Sequence, residues 1–406
     1  MKKTFLNILF FAGIITFSYP QDIWTQKASV YNYGRRSSMG CSVNGKGYFG
    51  LGQIYDGSFV KDIWVYDTTT NRWNFETNYP GSGSHGVTSF SLNNKLYICL
   101  GFSTDHICQS DLWEYDPETK IWIEKASFPG IPRYGACSFT IDSFAYIACG
   151  SHNVGNDYLY DLWQYNSAED SWTEKSSFTG GPRAFATAFS IGGFGYLGLG
   201  SSSSMFTRND FWKYDPVNDL WTAIANFPGP SRDGALSFVI HNIAYVGTCY
   251  DYSQYFNTFW KYNPINSSWG TITNSDQAPE RGGGNGFSIG EIGFMTGGMN
   301  ETGILTDLWS FRSSDSIILF KNVKLTNQIF LKIYPNPSNQ ILTIEVPFAE
   351  CYGYLMVSNS LGEEILTIKI SNNKSKIDIG NLSAGIYIIK YVSGSDFYVS
   401  KLYIVN

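Results

Sequence analysis

Charge is scarce in this chain. Only 15% of its 406 residues are Asp, Glu, Lys or Arg, and the formal net charge is −6. No run of lysines or arginines breaks that acidity, which argues against a nucleic-acid or anionic-membrane partner. Histidine is scarcer still, at four residues. The seven cysteines (Cys41, Cys99, Cys108, Cys137, Cys149, Cys249 and Cys351) never take a CxxC spacing. That removes the usual zinc motif and leaves buried free thiols as the reading, with a Cys99–Cys108 disulfide open. No Ser-His-Asp spacing, phosphate-binding glycine loop or other motif asks for a metal or cofactor.

Long apolar runs are missing too, apart from the N-terminus. "MKKTFLNILFFAGIITFSYPQ" has a basic start, about a dozen apolar residues and then small and polar ones. It reads as a signal peptide over residues 1–18. The apolar run is too short to span a bilayer, so the mature chain is expected without a transmembrane segment.

Aromatics are abundant, at 17%, and there are 41 glycines without a collagen period. That composition suits strands joined by tight turns. All twelve tryptophans lie on one grid. Five pairs (Trp64/Trp73, Trp113/Trp122, Trp163/Trp172, Trp212/Trp221 and Trp260/Trp269) are spaced nine apart within a pair and 48 to 50 between pairs. Trp24 in "WTQKAS" matches the second member, Trp309 in "DLWSF" the first. The sixth pair is therefore split between the two ends of the repeat.

Each unit reads as four strands. One begins at an arginine ("RYGACSFTI" from Arg133), and a tight turn such as Asn44-Gly45 follows. The second ends in a glycine ("YIACG" to Gly150); the third and fourth carry the two tryptophans, joined by turn chemistry such as "DPETK". Six such units over residues 22–312 resemble kelch repeats. The family's glycine doublet is whole only at Gly297-Gly298; its second glycine alone remains as Gly52, Gly101, Gly150 and Gly200, with Cys249 in the fifth unit. The resemblance implies an all-β, six-bladed propeller. The split pair implies that the N-terminal strand completes the last blade and closes the ring, since an open row would expose strand edges.

The repeat stops after Phe311, and residues 313–330 read as a linker. From residue 331 to 406, alternating apolar residues with Gly and Asn turns predict a small antiparallel β-sandwich. Tyr334-Pro335-Asn336-Pro337, Gly362 and the Leu382–Tyr387 segment around Gly385 resemble the C-terminal sorting domain, type A, of the type IX secretion system of Bacteroidetes. That implies passage through the periplasm with this machinery as partner, and a destination outside the cell or on its surface. Asp315-Ser316-Ile317 resembles an O-glycosylation acceptor of the same phylum.

Two sets of residues are candidates for function. Arg35, Arg133, Arg183, Arg232 and Arg281 recur at one position, with Ser84 replacing the arginine in the second unit. Such a ring either grips carboxylates or sulfates bidentately or ties each blade to its own loops. The second set departs from the repeat: His85, His106 and His152, on one face, with Tyr55, Asp105, Tyr158, Arg208 and Tyr252 in nearby loops. His241 belongs to the opposite face. Aromatics, acids and bases around a shallow mouth suit a glycan, peptide or protein bound without catalysis by a monomer. Kelch propellers also include sialic acid mutarotases, which would use the arginines with His85, His106 or His152, and galactose oxidase, whose paired His and Tyr copper ligands have no counterpart here.

Overall fold

The computed structural model describes residues 22–30, 33–152, 157–202, 206–272, 277–313, 331–336, 338, 340–346, 353–358, 364–393 and 396–404. The expected signal peptide, all but the first residue of the linker, the Asp315–Ile317 acceptor, Cys351, Pro337 and Gly362 lie outside these. The chain divides into two compact units, Met1–Lys321 and Asn322–Asn406.

The first unit holds six four-stranded antiparallel sheets. Blade 1 runs Met39–Val43, Lys46–Gly50, Asp62–Asp67, Arg72–Asn78. Blades 2 to 5 repeat that order, beginning at Thr88, Cys137, Thr187 and Leu236. In the sixth, Asn285–Ile289, Ile292–Thr296 and Leu308–Arg312 are joined by Ile23–Lys27 as the outermost strand. Trp24 stands opposite Phe311 there, as Trp122 stands opposite Tyr115 in blade 2. The ring is closed by the strand that the split tryptophan pair predicted.

Local sequence explains the blade. Innermost strands alternate buried and half-buried residues, as in Cys137–Ile141, because one face meets the next blade. Second strands, such as Phe144–Ala148, are buried almost throughout, lying between two neighbours within the sheet and a blade on each face. Asn44 and Gly45 both take positive φ (49° and 73°), the conformation a two-residue hairpin needs. Between third and fourth strands an Asp or Asn caps the turn; Asp116, for instance, accepts from the Glu118 amide at 2.8 Å.

Within a blade, first and second strands stack rings, such as Phe139 on Tyr146 (5.1 Å between centroids) and Phe189 on Tyr196 (5.2 Å), and blades meet where Tyr214 packs on Tyr146 and Tyr262 on Tyr196, each at 5.5 Å. Gly195 gives the clearance: a Cβ there would lie 2.2 Å from the Phe139 ring. Second tryptophans bond the preceding blade, as Trp172 Nε1 donates to Ala126 O at 2.8 Å and Trp221 Nε1 to Ser176 O at 3.1 Å. Two sets of backbone bonds gird the ring. The amides of Gly52, Gly101, Gly150, Gly200, Cys249 and Gly298 each donate to the carbonyl at the arginine position of the next blade, at 2.6–2.9 Å. Nearer the axis, Gly86, Gly135, Phe185 and Gly234 donate in turn to Ser37, Gly86, Gly135 and Phe185.

The axial cavity, about 260 Å³, is lined by the innermost strands and takes at least one serine from each blade, among them Ser42, Ser138, Ser237 and Ser288. Ser138, Ser237 and Ser288 donate to carbonyls of the preceding blade at 3.0, 3.2 and 2.7 Å. Those hydroxyls fasten the ring.

The six described cysteines are free and buried. Cys99 and Cys108 form no disulfide; their thiols donate to Thr88 O (3.8 Å) and His152 O (2.7 Å). Among the described residues no helix is long and apolar enough to cross a membrane.

The second unit is a sandwich. Lys332–Tyr334, Ile341–Glu345 and Lys374–Asp378 form one sheet; Glu364–Ile370, Gly353–Ser358, Gly385–Ser393 and Asp396–Ile404 form the other. Leu342, Ile344, Leu355, Val357, Ile389 and Leu402 fill the space between them.

Candidate functional site

The repeat arginines come first, because they were expected at the rim. Arg35, Arg133, Arg183, Arg232 and Arg281 have no exposed surface at all. Each guanidinium bonds the carbonyl 16 residues on, as Arg133 Nη1 does with Cys149 O at 2.9 Å. Four also form bidentate pairs with an aspartate two residues before the blade's first tryptophan: Arg35 with Asp62, Arg133 with Asp161, Arg183 with Asp210 and Arg281 with Asp307, at 2.5–3.0 Å. Burial opposes ionisation of Asp62, Asp161 and Asp210, but the arginine's hydrogen bonds and charge outweigh it, so each carboxyl stays below its ordinary range. Of the two readings of the ring, burial and pairing select the tie that holds each blade. Arg35, Arg133, Arg183 and Arg281 are thereby corrected from ligand contacts to scaffold.

The residue after each arginine behaves differently. These six, Arg36, His85, Tyr134, Ala184, Asp233 and Gly282, bridge to Gln53, Phe102, Ser151, Ser201, Tyr250 and Met299 in the loops between second and third strands. They therefore encircle the axis at one end of the propeller, and each blade brings different chemistry. We call this end the mouth.

On one side lies an aromatic nest. His85 packs against Phe59 (4.8 Å), Phe102 (5.7 Å) and Tyr134 (5.8 Å). His106, exposed, packs on the other edge of Phe102 at 5.8 Å. Burial, then the Arg36 charge, push His85 down to about 4, so it is neutral at neutral pH. His152 lies nearby with Nδ1 2.6 Å from Pro132 O, and Cys108 bonds its carbonyl. The three histidines predicted for this face do share it. His241 sits in a first-hairpin turn at the other end, 3.0 Å from Glu291.

On the other side Tyr252 donates to Asp233 at 3.0 Å. Burial raises the Asp233 carboxyl above its ordinary range against hydrogen bonds from Tyr252 and Ser201. Tyr250 packs on Tyr252 and Tyr255 at 5.8 and 4.7 Å. Between these flanks Arg36 is held by Gln53 Oε1 (3.0 and 2.7 Å) and touches Met299 Sδ, neither of them charged. Farther out, Tyr55 is 75% exposed beside Tyr33, Asp105 and Arg208 are exposed, and Tyr158 is half-buried. Arg36, Tyr134 and Asp233 were not predicted. The signal was there, since His85 was picked out by its place beside the arginine slot and the same place could be read in every unit.

Among the described residues no three His, Cys, Asp or Glu side chains cluster as a metal site would require.

The Kelch motif family model matches residues 84–129, and the Secretion system C-terminal sorting domain model matches residues 332–405. No curated protein matches the sequence. Among solved structures, that of YjhT is similar over 68% of this chain and 94% of its own, with a TM-score of 0.58 and 16% identity, a likeness of fold. The chain is a kelch-type β-propeller followed by a type IX secretion sorting domain, and is secreted or attached to the outer surface.

Proposed function

We propose that the propeller is a non-catalytic binding module, with a glycan or peptide seated at the mouth. The observation that carries this is the slot after the repeat arginine. The fold uses the arginine slot alike in four of the six blades, yet the next residue supplies a cation, an imidazole, a phenol, a methyl, a carboxyl and a glycine around one opening. Repeat packing demands nothing of that variety, whereas recognition of an irregular polar ligand does. Exposed Tyr55 and Tyr252 extend the surface with rings suited to sugar or peptide faces.

The test is a glycan and peptide array probed with the full secreted chain. Binding by wild type, lost in Tyr134→Ala and Arg36→Ala with unchanged melting, is the expected result. Variants that bind as wild type does would sink the mouth assignment.

One observation supports a second reading, a sugar-acid mutarotase. Asp233 is a carboxyl that holds its proton above the ordinary range, in reach of Tyr252 and on the same opening as Arg36, which pairs with no carboxylate among the described residues. His85 is a poor base at a pKa of about 4. Exchange of sugar-acid anomers followed by NMR, abolished in Asp233→Asn and kept in His85→Phe, would select this reading. Fold alone does not choose between the two.

A further inference from the structure

Blade 5 breaks the arginine–aspartate rule. In blades 1, 3, 4 and 6 one carboxylate oxygen, Oδ2 of Asp62, Asp161, Asp210 or Asp307, accepts two bonds. One comes from the arginine Nη2, at 2.7–3.0 Å. The other comes from Nε1 of the tryptophan two residues on, at 2.5–2.8 Å. Blade 2 lacks the arginine but is repaired within the chain: the Tyr79 hydroxyl donates to Asp111 Oδ2 at 2.8 Å beside Trp113 Nε1 at 3.0 Å. Blade 5 lacks the aspartate. Thr258 stands in its place, exposed, and no described residue repairs the loss.

The two donors are nevertheless built. Arg232 Nη2 and Trp260 Nε1 are both buried with no acceptor, and they are the pair that shares one oxygen elsewhere. They converge beside Gly229, where an added Cβ would lie 2.9 Å from Nη2 and 3.1 Å from Nε1. Arg232 Nη1 bonds Thr248 O at 3.0 Å. In the sister blades that nitrogen serves both a carbonyl and the second carboxylate oxygen. The guanidinium lies between two rings, Phe227 at 4.9 Å and Phe256 at 4.4 Å, which hold its plane. Burial lowers its pKa against a contact with the Cys249 thiol, itself kept protonated mainly by burial, and against the charge of Asp251, which forms no ion pair with it. Among the described residues no carboxylate pairs with this buried cation, which is costly, and an anion at this point relieves that cost.

We propose that blade 5 carries a carboxylate-binding site, in which the ligand's two oxygens take the positions of the missing aspartate on Arg232 Nη1, Arg232 Nη2 and Trp260 Nε1. Parallel donors fit a planar carboxylate better than a halide. The sister carboxylates are 14–29% exposed, so the position lies next to solvent in those blades; in blade 5 both donors are covered, and a small acid reaches them when the side chains over them move aside. The site uses the side chains of Arg232 and Trp260, neither of which the mouth assignment relies on, so a failed mouth assignment would leave it standing.

Acetate, glucuronate and chloride are titrated into the full chain at constant ionic strength, reading melting temperature and the indole N–H NMR resonances. Acetate should raise the melting temperature saturably and shift one indole signal, the one missing from Trp260→Phe. Thr258→Asp supplies the carboxylate from within. It should melt higher than wild type without acetate and lose the response. Glucuronate acting at lower concentration than acetate would mark a sugar acid as the occupant, and acetate alone a small free acid. Chloride matching acetate, or Thr258→Asp responding as wild type does, would overturn the proposal.

Discussion

The Trp24 ring lies 4.9 Å from Phe311, across the strand pairing that joins the two ends of the propeller. Trp24 also packs on Phe259 and Phe238 of blade 5, at 4.9 and 6.1 Å, and is 5% exposed. One residue thus couples the closing strand, the sixth blade and its neighbour. Trp24→Ala should cost about 3–5 kcal/mol, as expected for a buried tryptophan emptied to alanine. Urea unfolding checks it, and Trp24→Phe should retain most of the stability. A midpoint unchanged in Trp24→Ala would mean that the ring does not depend on its clasp.

The arginine pairs call for a different experiment. Removing one partner strands the other, so Arg183→Met should cost about 3 kcal/mol, the low end for a buried pair, because Asp210 keeps some solvent exposure. The double variant Arg183→Met/Asp210→Leu should recover part of that loss, because no charge is left unpaired. Chemical denaturation of the four proteins of this cycle measures the coupling. Coupling near zero would show that the pair adds nothing beyond each residue's other bonds.

Architecture was legible because the repeat prints it: twelve tryptophans on one grid fix the blade count, and the severed pair fixes the closure. The role of the arginines was only half legible. Their partners were on the same grid, as the aspartate of each "DLW", "DIW" or "DFW", yet a contact between residues 26 to 28 apart is made by strand pairing, which no local pattern displays. His85 was found because a substitution drew attention to it; Arg36, Tyr134 and Asp233 share its slot beside intact arginines and passed as ordinary loop residues. Blade 5's lost aspartate became visible only when Trp260 and Arg232 were seen to lack the oxygen that four sister blades supply.

His85 makes the fold sensitive to mild acid. Its folded pKa, about 4, lies below the usual histidine value near 6.5, because burial and Arg36 disfavour the charged form. Between those values the unfolded chain binds a proton that the native state does not. The His85 contribution is therefore fully present above pH ~6.5 and is lost as pH falls toward 4. His85→Phe should flatten this part of the melting-temperature profile. The paired carboxylates act in a separate window, being depressed, and their contribution fades only below the ordinary carboxylate pKa of ~4. Asp233 has the opposite sign, since its raised pKa makes the native state the better proton binder above that range; Asp233→Asn should gain stability near neutrality. A His85→Phe profile that still falls between pH 6.5 and 4 would place the acid sensitivity elsewhere.

Delivery rests on the second unit. Its core is small, so a single charge within it should empty the fold: Leu355 and Leu342 are fully buried between the two sheets. Leu355→Asp should therefore match deletion of residues 332–405, leaving the chain in the periplasm and absent from the surface and the medium. The exposed Tyr354, next in sequence and 51% accessible, gives the control, because Tyr354→Asp should leave the core intact and delivery unchanged. Cell fractionation with detection of the propeller separates the outcomes. If Leu355→Asp reaches the surface as wild type does, the machinery reads the linear Tyr334-Pro335-Asn336 stretch rather than the folded sandwich. If both variants fail, the exposed face of the strand is itself part of what is recognised.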